Sequence, residues 1–141
     1  MSHFMPYLMF NGNCEEAMNF YKACIGGELG YFCRYGDSPM EVPVEQQNKI
    51  LHVEFKFWGG SIMACDHLQR DDVLQPKVGT NIHLSLGFES RRDLKTTFQK
   101  LKVGGKVTME LREQFWGDEF GMLIDKYGVN WMFSCAGNKT K

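Results

Sequence analysis

Four side chains are the candidates for chemistry in this sequence: His52, Glu54, Asp66 and His83. His52 and Glu54 stand two apart in ILHVEFKF, so a strand places both on one face. His83 sits on the polar side of TNIHLSLGFES, where Asn81, His83, Ser85 and Gly87 alternate with Ile82, Leu84, Leu86 and Phe88. Two imidazoles and a carboxylate suit several transition metals. One imidazole with a carboxylate is also the minimum for proton transfer. Asp66 ends SIMACDH and can either orient an imidazole or bond the backbone of the following turn. Each residue has a plainer reading as well. Period-two polar side chains often line a solvated sheet face, and a lone histidine more often completes a hydrogen-bond network than binds metal.

A second set would line a pocket. Met63, Met122 and Met132, with Trp116 and Phe120 of FWGDEFG, make a soft wall suited to an apolar or aromatic ligand. Asn81, Ser85 and Asn130 would add polar contacts on the same faces. Arg34 is a cation able to meet an anion, or an exposed side chain before a loop. A methionine-rich wall is equally a description of plain core.

The elements that must position these residues repeat. PYLMFNG is a strand, and NCEEAMNFYKACIGG a helix with Asn13 as N-cap and Glu16 three residues on, as in a capping box. ELGYFCRYG is a strand, residues 36–49 a loop with two prolines, and ILHVEFKF and SIMACDH a hairpin across Gly59 and Gly60. Residues 68–80 are a polar connector. NIHLSLGF then opens a second strand, helix and three strands, its helix capped by Ser90 and stopped by Gly104 and Gly105. The expectation is one α+β domain over 1–141, an internal duplication of a strand–helix–three-strand module, first at 5–67 and again at 81–135. Two such modules side by side would form a half-open, cavity-bearing mixed barrel, and pairing of whole chains as a homodimer would complete it.

Composition narrows the function classes. The net charge of −1 gives no footprint for nucleic acid. No apolar run approaches the roughly 20 residues that cross a bilayer, and the start of the chain reads as no signal peptide. The five cysteines are odd in number and lack Cys-x-x-Cys, which predicts reduced thiols and a cytoplasmic protein. Neither a phosphate-binding loop nor a Gly-x-Ser-x-Gly elbow occurs.

PYLMFNGNCEEAMNFYK, SIMACD and FWGDEFGMLIDKYGVNWMFSC resemble the PhnB-like branch of the vicinal oxygen chelate superfamily, often labelled demethylubiquinone methyltransferases. The superfamily includes glyoxalase I, bleomycin and fosfomycin resistance proteins and extradiol dioxygenases. The likeness runs from about residue 5 to 135. It implies metal-ligand positions near Pro6, Met63, His83 and Met132, of which only His83 is a usual ligand. The expectation is therefore no cofactor and no metal at that set, with a divalent ion at His52, Glu54 and His83 as the non-standard alternative. Methyl transfer is not inferred, because the glycines follow helices and hairpins and not a first parallel strand.

Two functions remain, beside the blander reading of a dimeric module with no ligand at all. One is a metal-free dimeric protein binding an apolar or aromatic small molecule. The other is an isomerase, lyase or transferase using His83 or His52 as acid or base, with Glu54 or Asp66 as partner.

Overall fold

The computed structural model describes residues 2–68 and 74–137. The chain divides into two compact units, Met1–Lys77 and Val78–Lys141. The expected connector spans this division, and its residues 69–73 lie outside the described residues.

The first unit contains β1 (Tyr7–Phe10), α1 (Cys14–Ile25), β2 (Glu28–Leu29), β3 (Cys33–Arg34), β4 (Ile50–Phe57) and β5 (Gly60–Asp66). Its sheet runs β1-β5-β4-β2, with β3 also on β4. β1 is parallel to β5, and the other pairs are antiparallel. The second unit contains β6 (Leu84–Phe88), α2 (Arg91–Leu101), β7 (Lys106–Glu113), β8 (Glu119–Ile124) and β9 (Asn130–Cys135). Its sheet runs β6-β9-β8-β7, again with first and last strands parallel. The duplication read from the pattern is thus a duplication of topology. Each unit is α+β, with one helix over one face of a mixed sheet.

Alternation decides which face each helix covers. In β4, Val53 and Phe55 are fully buried while His52 and Glu54 are half-buried. Met18 and Tyr21 of α1 are buried in the same unit. In β9, Trp131 and Phe133 are fully buried, and Phe98 of α2 meets Phe133 edge-on with centroids 5.0 Å apart. Burial of such side chains, about 1.5–3 kcal/mol each, is the main force holding each helix to its sheet.

Three sequence expectations are corrected. The strand predicted over residues 28–36 is two short pieces. Leu29 lies opposite Phe55, but Cys33 lies opposite His52, so the register slips by one residue between them. This bulge brings Cys33 beside His52. The strand predicted from residue 81 begins only at Leu84, and Ile82, expected on the core face, is 71 % exposed. The Asn13 side-chain cap does not form at the start of α1. Instead the amides of Gly12 and Cys14 donate to the carboxylate of Asp66, 54 and 52 residues away, at 3.0 and 2.9 Å. Ser90 does cap α2 as expected, accepting from the Asp93 amide at 3.2 Å. Ser90→Ala should therefore cost about 1 kcal/mol in denaturant unfolding, whereas Asn13→Ala should cost no more than roughly a few tenths. Equal losses would contradict this division.

The β4–β5 hairpin turns on Trp58 (φ 53°) and Gly59 (φ 77°), both left-handed. This mirror-image turn matches the strand twist, but its first position normally holds Asn, Asp or Gly. A bulky L-residue there costs roughly 1–2 kcal/mol. No helix among the described residues is long and apolar enough to cross a membrane.

Candidate functional site

The face of the first sheet away from α1 carries the polar candidates. Strand register places Tyr7 of β1 opposite Met63 of β5, and Met63 opposite Glu54 of β4. His52 lies two residues along β4 from Glu54 and opposite Cys33. Tyr7 and Met9 are 45 % and 53 % exposed, so this face is not sealed as core. The Tyr7 hydroxyl is 3.1 Å from His52 Nδ1. Ser61 donates to Glu54 Oε2 at 2.6 Å. Burial pushes the Tyr7 phenol up to about 12, with the neighbouring Cys65 thiol adding to the effect. Sequence reasoning missed Tyr7. Its position, alternating with Met9 in PYLMF on the side opposite Leu8 and Phe10, was the signal available.

Ser61 also lines an open groove of about 690 Å³ at the hairpin end of this face. Phe4, Glu28, Lys56, Phe57 and the strained Trp58 line it too. Trp58 is 54 % exposed and edge-on to Phe57, with centroids 5.6 Å apart. Ser61, through its bond to Glu54, links the groove to this face, while Phe57 reaches it from the α1 side, alternating with Val53 and Phe55.

Asp66 is 1 % exposed and has left this face. Its Oδ1 accepts from Gly12 and Cys14, and its Oδ2 from the Ile50 amide at 2.9 Å. The carboxylate clasps three backbone segments through their amides. Arg34 is committed as well. Its two terminal nitrogens each meet a Glu15 oxygen at 2.9 Å, and one reaches the Asn48 carbonyl. That pairing holds Glu15 below the usual carboxylate range.

The second sheet gathers much of the expected pocket set on its own outer face. Ser85, Met132, Met122 and Met109 form one rung across β6, β9, β8 and β7. Phe120 lies opposite Ser134 on the next rung, and Trp116 meets Phe120 edge-on at 6.4 Å. Asn130 is buried and donates to the carbonyls of Gly79 and Ile82 at 2.7 and 3.0 Å, tying down the segment before β6. Asn81 is exposed in that segment, and His83 is half-buried immediately before β6.

The metal positions implied by the superfamily do not fit a divalent ion. Pro6 has no donor atom, Met63 and Met132 offer only thioethers, and His83 stands as the one imidazole of the set. Among the described residues, no three His, Cys, Asp or Glu side chains gather as a metal would require. His52 and Glu54 belong to the first unit and His83 to the second. The five cysteines are free thiols.

Residues 2–134 match the family described as 3-demethylubiquinone-9 3-methyltransferase. The chain belongs to that family. Among its relatives in the family's range is Protein YjdN of Escherichia coli K12, 30 % identical, with 92 % of each chain covered. The crystal structure of PA1353 from Pseudomonas aeruginosa superposes with a TM-score of 0.85 at 33 % identity, covering 98 % of this chain and 100 % of that one. A putative 3-demethylubiquinone-9 3-methyltransferase, PhnB protein, from Bacillus cereus gives 0.76 at 29 %, covering 96 % and 100 %. A glyoxylase/bleomycin resistance protein/dioxygenase domain from Frankia sp. EAN1pec shares the fold alone, at 0.66 and 16 % identity, covering 100 % and 96 %. This is the PhnB-like, vicinal oxygen chelate fold that the motifs resembled.

Proposed function

We propose that this PhnB-like chain is a metal-free, homodimeric cytoplasmic protein that binds a small apolar or aromatic molecule on the outer face of its first sheet. The observation that carries the reading is Trp58. A large aromatic side chain is held half-exposed in a left-handed turn position that Asn or Gly would occupy without strain. Local strain of this kind is characteristic of binding sites. Phe57 and Phe4 line the groove with it for an aromatic body, and Ser61, Glu28 and Lys56 for its polar groups. Methyl transfer forms no part of the reading. The turn between β1 and α1, where a nucleotide-type ligand would sit, is closed by the Asp66 carboxylate.

A thermal-shift screen of small neutral aromatic compounds tests this directly. A ligand present at 100 times its Kd should stabilise the protein by about 2.7 kcal/mol. Trp58→Asn should abolish that shift. Its own stability should stay within about 1 kcal/mol of the parent, because relief of backbone strain offsets the lost ring contact. A library without any hit, or a hit that Trp58→Asn and His52→Gln leave untouched, rules out this face. Sedimentation at equilibrium checks the dimer, and a single-chain mass removes that part.

The contact between Tyr7 and His52 favours a second reading, an isomerase, lyase or transferase with His52 as the proton-transfer group. Turnover that His52→Gln eliminates while binding persists would support it.

A further inference from the structure

The chemistry of the first-sheet face turns on which ring nitrogen of His52 carries the proton. Three side chains decide it. Tyr7 Oη is 3.1 Å from His52 Nδ1, with the rings 5.9 Å apart and tilted by 43°. The Cys65 thiol, 7 % exposed, neighbours the same hydroxyl. A phenol has one proton to give, so only one of these neighbours can receive it.

The order follows from acidity and acceptor strength. Tyr7 stays protonated through neutral pH, since burial pushes it up to about 12. Burial also pushes the Cys65 thiol up, so it keeps its S–H at neutral pH. A thiol sulfur is a weak acceptor, and a bare imidazole nitrogen is a strong one. The arrangement that spends the phenolic proton on the better acceptor runs from Tyr7 O–H to His52 Nδ1. The remaining imidazole proton then sits on Nε2.

We propose that Tyr7 is a positioning residue that holds His52 as the Nε2–H tautomer, so that this face receives its ligand through an acceptor oxygen such as an aromatic carbonyl. The proposal rests on the small-molecule reading above and names the ligand class. Glu54, two residues along β4 and about 7 Å away along the strand, complements it. Its carboxylate accepts from Ser61 and disfavours an anionic ligand, so a neutral carbonyl with a donor group of its own suits the pair. The competing occupant is an aromatic ammonium drawn by Glu54 alone. In this tautomer His52 acts as donor or acid. For it to act as base at Nε2, the chain must run in reverse, from His52 Nδ1–H to Tyr7 and from Tyr7 to Cys65.

The test is long-range proton–nitrogen correlation NMR of the ¹⁵N-labelled full chain, with His52 assigned by its loss in His52→Gln. The expected result is an Nε2–H pattern for His52 that Tyr7→Phe converts to a mixture of tautomers. An Nδ1–H pattern or a mixture in the parent overturns the proposal, as does an unchanged pattern in Tyr7→Phe. Should Tyr7→Phe fail to fold, Cys65→Ala decides. The proposed order keeps Nε2–H without the thiol, whereas the reverse order loses its final acceptor and changes tautomer. Titration with benzamide and with benzylamine separates this from the wider reading. Benzamide moving the His52 signals more than benzylamine supports the ligand class, and the opposite order overturns it. An Nε2–H pattern that neither compound perturbs defeats small-molecule binding at this face while leaving the role of Tyr7 intact.

Discussion

Asp66→Ala is expected to destabilise the first unit by on the order of 4 kcal/mol. The carboxylate is 1 % exposed and accepts from Gly12, Cys14 and Ile50, at 3.0, 2.9 and 2.9 Å. Those amides belong to the turn after β1, the first residue of α1 and the first residue of β4. Each amide left without an acceptor costs about 1–3 kcal/mol, moderated by whatever water enters. Asn at this position is expected to be nearly as damaging, because its amide group would point a donor at one of three donors. Native-state hydrogen exchange gives the clearest readout. The amides of Gly12, Cys14 and Ile50 should lose protection first, while those of β8 and β9 keep theirs. A loss below about 1 kcal/mol, with those three amides still protected, would show that the clasp is not needed.

Asp125→Ala should remove about 3 kcal/mol from the second unit. Asp125 is 3 % exposed, and its Oδ1 accepts the amides of Tyr127 and Val129 at 2.7 and 3.1 Å. Its Oδ2 accepts from the Trp131 indole N–H at 2.8 Å. One carboxylate thereby shapes the β8–β9 turn and satisfies the polar atom of the largest core side chain in that unit. Trp131 is fully buried, whereas Trp58 and Trp116 are about half exposed. Loss of Asp125 should therefore shift the buried component of tryptophan fluorescence to the red and lower the unfolding midpoint in urea. Trp131→Phe, which leaves the carboxylate short of one donor and a cavity behind it, should cost about 2–4 kcal/mol. Unchanged fluorescence in Asp125→Ala would mean that packing alone holds the indole.

These two aspartates show where sequence reasoning stopped. Asp125 opens DKYGVNW, and a turn there was readable from Gly128, whose φ is +90°. Asp66 was readable only as a strand-end carboxylate. Its actual partners lie 16 to 54 residues away, and they came together only when β1 paired in parallel with β5. Asp66 also takes the Cys14 amide that opens α1, a partner that local spacing does not announce, while Asn13 makes no side-chain cap bond.

The candidate site divides in the same way. Alternation in ILHVEFKF was enough to put His52 and Glu54 on one face, because side-chain direction along a strand is a local property of the backbone. Alternation likewise assigned Met122 and Met132 to a shared face, and Met-rich pattern with neighbouring Phe120 marked it as an adaptable wall. The two helices, the Gly26 stop of α1 and the repeated strand–helix–three-strand order were legible for the same reason: each rests on short-range periodicity and turn chemistry, whereas α2 ends at its cap Lys102, before the expected Gly104 and Gly105. What the tertiary structure decided is which of these faces meet which neighbours. The parallel β1–β5 pairing set Tyr7 within hydrogen-bonding distance of His52, 45 residues away. The irregular register at Cys33 and Arg34 of β3 brought Cys33 opposite His52. Neither has a signature in composition or spacing, because strand register across a sheet is fixed by long-range packing and not by the residues beside it in the chain.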